Sequence, residues 1–391
     1  MENPFTLNWK PEKFYANNHF LKKLMDACVE RVNWEALLQY ASFQNSNRPC
    51  KLLDDYTIGG VHLIRLLSFE DTIWVVRVQL RPSTPATAHI AQAEVDAMEL
   101  IRARANIPIP KILGYKVDDD NIYRAAFILL EFLPGSAAMD ICGGQIPPER
   151  RETFFGEMAR IQVELASVRM PKIGSIIRQA DGSFDIGPFP KVGGPFSSAA
   201  DFFKAWARSA EFTMDDNEIR NRMRGGPAEE ILSSIRAFPG LLHDISGNIS
   251  VNDAGPFPLY HPDLYHSNVV VNPSFEVLGV IDWEGACTVP WEMVQPPLFL
   301  GIVAPAMDDS RNYDENGRPK SPDTERRIEE VVQYVNCIQQ WEERLKKDDK
   351  LSGILLNPDI QGLAYALKVY LDPGKLGFYD KILKPFAQPG H

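Results

Sequence analysis

The sequence predicts an α+β fold in which a small, mainly antiparallel sheet precedes a larger helical part. Two β-branched runs, 61–69 and 72–80, are joined at residues 70–71 in the pattern of a β-hairpin. A helical pattern follows over 88–105, and two more short strand patterns come after it. This order is typical of one helix packed on an antiparallel sheet, with a separate helical region behind it.

We expect the chain to divide into three parts. An N-terminal extension over residues 1–45 has helical spacing at 21–29 and 34–40. The sheet domain covers 46–132, because Pro and Gly punctuate the chain directly after its last strand pattern. Residues 133–391 form the helical domain. Helical patterns cover 147–168, 196–212, 323–345 and 358–371, and a hairpin pattern at 174–188 interrupts them.

The composition is that of a globular protein with an acidic surplus. Lys and Arg number 41 against 52 Asp and Glu, which gives a net charge of −11. That balance argues against a protein that coats nucleic acid, since such a protein needs a basic face. Apolar runs are too short to span a membrane, and the N-terminus lacks the apolar region of a signal peptide. Five dispersed cysteines without a CxxC pair fit a reducing compartment, so we expect a soluble cytoplasmic protein without membrane or nucleic-acid partners.

The densest polar cluster of the sequence is HPDLYHSN, at residues 261–268. An apolar run, a turn and a returning segment follow it and predict a hairpin that ends in Asp282. Because the two ends of a hairpin lie side by side, we expect Asn268 and Asp282 to be neighbours, with Asp263 on the preceding loop. Magnesium prefers hard oxygen ligands, and the acceptor hydroxyl of a phosphoryl transfer needs a carboxylate to take its proton.

The same segment matches the kinase catalytic-loop signature, H-x-D-x-x-x-x-N followed by a hairpin and an Asp. His261, Asp263, Asn268 and Asp282 hold its four positions. Each residue alone is more often a cap or turn residue. The joint spacing of all four favours the catalytic interpretation.

Arg77 and Glu94 form a second, independent pattern. Strand alternation puts Val75 and Arg77 on one face, and helical spacing puts Glu94 inside an apolar stripe. A carboxylate in that stripe needs a cation, and Arg77 is the candidate. A strand cation held by a helix glutamate is the arrangement that kinases use for phosphates. The alternative is that Arg77 faces solvent and Glu94 reaches off the edge of its helix.

Gly59 and Gly60 open the hairpin whose second strand carries Arg77, where a turn that covers phosphates should lie. Two glycines in a hairpin usually reflect turn chemistry alone, so this signal is weak.

With these residues located, the chain resembles the aminoglycoside phosphotransferase and choline-kinase-like family of small-molecule kinases. The matching segments cover roughly residues 50–300 and read HPDLYHSN, IDWEGA, WVVRVQL, AEVDAMELIRARANIPIP, LLEFLPG and PKIGSI. The resemblance implies a protein-kinase-like fold of two lobes, a small antiparallel-sheet lobe and a mainly helical lobe, with ATP in the cleft. It also implies Asp263, within the His261 loop, as catalytic base or hydroxyl-orienting acid, and Asn268 and Asp282 as Mg²⁺ ligands.

The resemblance further implies a nucleotide site in which Arg77, paired with Glu94, holds phosphates. Backbone groups of residues 131–133 would meet adenine, between Ile58 and two apolar residues of the hairpin. The residues expected around ATP are Ile58, Gly59, Gly60, Arg77, Glu94, Glu131, Phe132, Leu133, Val270 and Ile281. Kinases generally have Lys where Arg77 stands, and Arg keeps the charge but is longer and planar.

The acceptor is less well specified by the sequence. Glu284 is the acid we expect to meet a cationic acceptor, while Trp283 and Trp291 either line the acceptor pocket or belong to the core. The first functional hypothesis is an ATP- and Mg²⁺-dependent phosphotransferase acting on a hydroxyl of a small molecule, with amine-bearing acceptors among the candidates. The second is a kinase-fold binding or scaffold protein with weak or no transfer activity. A protein kinase is disfavoured, because Phe-Gly does not follow Asp282 and no A-P-E element comes after it.

Overall fold

A computed structural model describes residues 18–371 and 373–387, with only the backbone of Asp55 included. The expected lack of a signal peptide and the start of the N-terminal extension fall on residues 1–17, outside this described part. The described chain divides into two compact units. The first comprises the residues up to Glu99, Pro108–Ile146 and Ser267–Glu284; the second comprises Leu100–Ile107, Pro147–His266 and the residues from Gly285 onward. The domain limits expected near residues 45 and 132 stay predictions.

The regular elements follow one another in this order. The chain up to residue 142 contains α1 (His19–Arg31), α2 (Trp34–Gln44), β1 (Lys51–Ile58), β2 (His62–Ser68), β3 (Ile73–Gln79), α3 (Pro85–Arg104), β4 (Ile112–Lys116), β5 (Phe127–Glu131), β6 (Ser136–Ala137) and α4 (Ala138–Cys142). Then come α5 (Pro148–Ser167), β7 (Arg169–Met170), β8 (Gly174–Arg178), β9 (Phe184–Gly187), α6 (Ala199–Ser209), α7 (Asp216–Arg222), α8 (Ala228–Ile249), β10 (Phe257–Tyr260), β11 (Val269–Val271), β12 (Val277–Val280) and β13 (Cys287–Thr288). The last are α9 (Pro322–Arg344), α10 (Lys350–Leu356), α11 (Pro358–Leu371) and α12 (Tyr379–Ile382).

The first unit is built on a five-stranded antiparallel sheet in the order β1-β2-β3-β5-β4. The central strand β3 places Arg77 between Ile64 of β2 and Ile128 of β5. The alternation predicted for β3 is confirmed, since Trp74 and Val76 belong to a buried apolar cluster with residues of α1 and α2. Arg77 therefore lies on the opposite face of the sheet from this cluster.

A small three-stranded sheet, in the order β12-β11-β6, completes the first unit. The predicted hairpin is confirmed: Val269 pairs with Val280, and the Ile281 N–H donates to the Asn268 carbonyl at 2.9 Å. Gly135 lies directly beside this sheet. A Cβ atom at Gly135 would overlap the Val271 carbonyl oxygen, so this close approach of two backbones requires glycine.

The second unit is mainly helical, as predicted, but it also contains a five-stranded sheet in the order β7-β10-β13-β8-β9. Sequence analysis found only its β8–β9 hairpin. The strands β7 and β13 have two residues each, which is too short for an alternation pattern to be visible. The core of this unit is aromatic, with Phe238 in contact with Tyr370 and Tyr379 at ring distances of 5.4 and 5.2 Å. Within the described residues, no helix is both long and apolar enough to cross a membrane.

Gly135→Ala should destabilise the first unit by about 1–3 kcal/mol, because the added methyl group must displace backbone. The matched control is Gly144→Ala, where a Cβ would have nothing within 4 Å, and it should change stability by less than about 0.5 kcal/mol. Chemical denaturation of the two variants measures the difference. Equal stabilities would mean that the backbones at residues 135 and 271 are not in contact.

Candidate active site

The first unit contains a cavity of about 510 Å³. It is lined by the β1–β2 turn, the inner residues of β2 and β3, helix α3, the segment after β5 and both ends of the β11–β12 hairpin. Every residue that the sequence nominated for the nucleotide and the metal lines this cavity, as does Glu284. These residues are Ile58, Gly59, Gly60, Arg77, Glu94, Glu131, Phe132, Leu133, Asn268, Val270, Ile281 and Asp282.

Arg77 connects three structural elements at the cavity wall. Its Nη1 donates to Glu94 Oε1 at 2.5 Å, and its Nη2 donates to Asp282 Oδ1 at 3.0 Å. The Arg77 and Glu94 side chains are only 9% and 2% exposed, so the alternative of a solvent-facing arginine is wrong. Burial opposes the charge of Arg77, but Glu94 and Asp282 outweigh it and raise the pKa of the guanidinium above its ordinary value. Arg77 is therefore a fixed cation in the cavity wall.

Asp282 reaches this cation through an uncommon backbone conformation. Its φ angle is +62°, in the left-handed region that Asp tolerates better than most residues. The backbone N–H of the next residue, Trp283, donates to Glu94, which ties the end of the hairpin to helix α3. The Asp282 side chain remains 44% exposed although Oδ1 accepts a hydrogen bond from Arg77. A carboxylate in this state can still bind a cation.

The donor set fits a magnesium ion that is held jointly with phosphates. Asn268 and Asp282 both line the cavity, at the two ends of the hairpin, and both carry hard oxygen donors. Among the described residues, no group of three or more His, Cys, Asp and Glu side chains could hold a metal. Magnesium is commonly bound by one or two protein carboxylates with water and substrate phosphates. These two residues are sufficient for that mode and insufficient for a site made of protein alone.

Several residues of the cavity wall were missed by sequence analysis. They are His62, Ile64, Ser136 and Asp140. No motif contains them, because strand pairing brings in the first two and the other two lie in the segment that follows Gly135. The alternation of β2 could have located the first two, since Ile64 lies opposite Arg77 in the sheet and His62 shares its face.

The loop that carries Asp263 belongs to the second unit and has its own local order. His261 is buried and its Nδ1 accepts a hydrogen bond from the Asp263 N–H at 3.1 Å. Lys368 Nζ donates to the Pro262 carbonyl at 3.1 Å, and the Tyr265 N–H donates to the Asp263 carbonyl at 2.8 Å. This geometry gives His261 a loop-shaping role and leaves the Asp263 side chain exposed. The catalytic roles expected of Asp263 and His261 stay predictions.

The two tryptophans have the core role that the sequence left open. Trp283 and Trp291 are fully buried, and their indole N–H groups donate to the carbonyls of Val280 and Pro256 at 3.0 and 2.9 Å. Neither can meet an acceptor from that position. Glu284 differs, because it lines the cavity, and burial together with the nearby Glu94 and Asp282 raises the pKa of its carboxyl.

A family model described as the phosphotransferase enzyme family (APH) matches residues 68–292, which is more than half of the chain. The chain belongs to this phosphotransferase family. The match begins in the β2–β3 hairpin and ends just after Trp291, so it includes Arg77, Glu94, the Asp263 loop and Asp282.

The chain is also similar to a group of curated yeast proteins and to a solved bacterial structure. The Saccharomyces cerevisiae (strain YJM789) protein "Altered inheritance of mitochondria protein 9, mitochondrial" is 21% identical over 320 residues, covering 66% of this chain and 51% of that protein. The chain thus spans about half the length of the curated relatives of this name from S. cerevisiae. A solved structure from Ralstonia eutropha JMP134, provisionally described as an aminoglycoside phosphotransferase, has a TM-score of 0.52 at 15% identity and covers 87% of both chains. This likeness confirms the predicted protein-kinase-like α+β fold.

Removing either partner of the Arg77–Glu94 pair should cost about 3–5 kcal/mol of stability, because Glu94 would be buried without a counter-ion and Arg77 would keep only the partly exposed Asp282. We expect Arg77→Met and Glu94→Leu each to show this loss, and the double variant to lose clearly less than the sum. Chemical denaturation gives the coupling energy.

The exposed pair Arg48–Asp71, with side chains 46% and 57% exposed, supplies the matched control in the same unit. Its double-variant cycle should give a coupling energy below about 1 kcal/mol. Additive losses at Arg77 and Glu94 would contradict the buried ion pair.

Proposed function

We propose that this protein is an ATP- and Mg²⁺-dependent phosphotransferase that moves the γ-phosphate of ATP to a hydroxyl group of a small molecule. The observation that carries the proposal is the cavity of the first unit, with the cation Arg77 held between Glu94 and Asp282 in its wall. Membership of the phosphotransferase family supports the reaction class.

The cavity has the right chemistry for a nucleotide. Its volume of about 510 Å³ lies in the range of small-molecule sites, which is about 300–1,000 Å³. Ile58, Val270 and Ile281 offer apolar surface to a base, and the backbone of residues 131–133 offers hydrogen-bonding groups beside it. Arg77 offers a fixed positive charge to phosphate oxygens. An adenine nucleotide would match both parts of the cavity, with its base at the apolar residues and its phosphates at Arg77.

Asn268 and Asp282 would hold magnesium in this site, and the bound ion would neutralise charge on the phosphates. Asp263, five residues before Asn268 in the chain, would orient the acceptor hydroxyl and take its proton. The hydroxyl oxygen then bonds to the γ-phosphorus as the bond to the bridging oxygen breaks, and ADP leaves. The residues named here act mainly by position and by charge.

An amine-bearing acceptor is the class that the charges favour. Glu284 lines the cavity two residues after Asp282, and the chain has a net charge of −11. A cationic group would be attracted to such a site. Nucleotide consumption measured over aminoglycosides, choline-like amines, amino alcohols and neutral sugars tests this preference directly, and a preference for the neutral sugars would contradict it.

We also propose a reducing compartment, with the cytoplasm as first choice. All five cysteines are free in the structure, which fits such a compartment. Because the yeast relative is named as mitochondrial, cell fractionation has to compare these two locations.

The second candidate function is a binding or scaffold protein with weak or no transfer activity. The contact that favours it is the one between Arg77 Nη2 and Asp282 Oδ1, which engages an expected metal ligand with a protein cation. A thermal-shift experiment with ATP, with and without Mg²⁺, separates the two candidates. Stabilisation by ATP that increases with Mg²⁺ supports the enzyme, and no stabilisation supports the scaffold.

Asp263→Ala should lower kcat by about a hundredfold or more, because the acceptor hydroxyl loses its proton acceptor. Binding of ATP with Mg²⁺, measured by calorimetry, should be unchanged. The exposed Asp244 of the same unit provides the control variant Asp244→Ala, which should retain full activity. Phosphorylation at the wild-type rate by Asp263→Ala would remove this residue from the mechanism.

The variants Gly59→Ala and Gly60→Ala test whether the two glycines contact phosphates or only form the turn. Neither glycine has a positive φ angle, and a Cβ at either position would have nothing within 4 Å, so both variants should fold with unchanged stability. The Gly59 N–H already donates to the His62 carbonyl at 3.0 Å, so the expected loss comes from the added methyl group, which would keep phosphates away from the backbone of the turn. We expect ATP affinity to fall by about tenfold, comparable to the loss of one hydrogen bond to a charged group. Unchanged affinity, measured by calorimetry, would show that this turn does not contact phosphates.

A further inference from the structure

Among the residues that the structure describes, His62 contributes the one imidazole in the wall of the cavity. It begins β2, one residue after the Gly59–Gly60 turn, and its backbone pairs with Gln79 of β3. Arg77 is two residues before Gln79 on the same face, and a diagonal neighbour of this kind is within reach of a long side chain. The sheet register therefore brings this histidine to Arg77, although the two are fifteen residues apart.

Only one assignment of hydrogen-bond donor and acceptor is possible for the contact between His62 and Arg77. His62 Nδ1 lies 3.2 Å from Arg77 Nη2. A guanidinium only donates hydrogen bonds, so Nδ1 is the acceptor and the imidazole proton is on Nε2. The environment agrees with a neutral ring, since burial and then the charge of Arg77 lower the pKa of His62 to about 3. The Glu284 carboxylate lies 4.0 Å from His62 Nδ1, which is too far for a hydrogen bond to this nitrogen.

This contact acts on the orientation of the guanidinium. Glu94 is bound to Nη1, while Asp282 and His62 share Nη2. A metal ion or phosphate that draws Asp282 away would leave Nη2 with His62 alone. Without His62, the Arg77 guanidinium would then be held only at Nη1, and the guanidinium group could rotate.

We propose that His62 is a positioning residue: its Nδ1 accepts a hydrogen bond from Arg77 Nη2 and keeps the guanidinium plane directed at the phosphates of the bound nucleotide. The geometric part of this statement concerns the protein alone. Its consequence for turnover rests on the proposed phosphotransferase function.

The geometric part is tested by NMR of the full-length protein with labelled arginine, in which the Arg77 guanidinium signals are identified by their loss in Arg77→Met. Three proteins are compared: wild type, His62→Leu, which has no acceptor, and His62→Asn, whose Oδ1 replaces Nδ1 at the same distance from the backbone. Because Asp282 also holds Nη2, all three proteins carry Asp282→Ala in this comparison. Rotation of the Arg77 guanidinium should be about tenfold faster or more with His62→Leu than with His62 itself, as expected for one charged hydrogen bond, and slow again with His62→Asn. Equal rotation rates in all three proteins would overturn the proposal.

The same variants are then compared for turnover and for binding of a non-hydrolysable ATP analogue with Mg²⁺. We expect H62L to lose about tenfold in kcat/KM for ATP and H62N to recover most of it. The control is His89→Leu, a histidine of helix α3 that does not line the cavity, and it should behave as wild type. Wild-type kcat/KM in H62L would overturn the role of His62 while the enzyme assignment stands. A wild-type protein that neither binds nor consumes nucleotide, but shows the rotation difference, would overturn the function and keep the geometric role.

Discussion

The buried charge of Arg77 is the constraint on which the first unit depends. A guanidinium removed from water must be compensated, and the penalty without partners amounts to several kcal/mol. Its partners come from three separate segments: Glu94 from a helix, Asp282 from the end of a hairpin and His62 from a neighbouring strand. The sheet, the helix and the hairpin cannot take independent positions while they satisfy one cation. The same requirement assembles the wall of the cavity.

Arginine at this position changes what the site can do. A lysine is a point charge on a flexible stem, whereas the planar guanidinium offers five donors in a fixed fork. Here the fork contacts a carboxylate on each side and an imidazole nitrogen. Arg77 stands where kinases generally have lysine, and the hydrogen-bond acceptors around it suit an arginine. The hydrogen bond that Arg77 Nη2 donates to His62 Nδ1 is part of that set.

The hairpin that carries Asn268 and Asp282 is positioned by backbone contacts more than by side chains. The first strand of the hairpin, β11, pairs on one side with β12 and on the other with the short strand β6, which follows Gly135. Gly135 allows that approach because it has no Cβ to meet the Val271 carbonyl. The left-handed conformation of Asp282 then turns its carboxylate toward Arg77. Strain of this kind is tolerated where the surrounding structure determines the conformation, and it is common at functional sites.

The sequence by itself determined the α+β class, the hairpins and the residues nominated for the nucleotide and the metal. These follow from periodicity and from spacing along the chain, which are local quantities. Only the tertiary structure decided that Arg77 contacts Glu94 and Asp282 together, that both tryptophans are core residues, and that His62 belongs to the cavity wall. It also revealed the sheet of the second unit, whose two-residue strands leave no pattern. Those features depend on strand register and burial, which are settled by contacts between residues far apart in the chain.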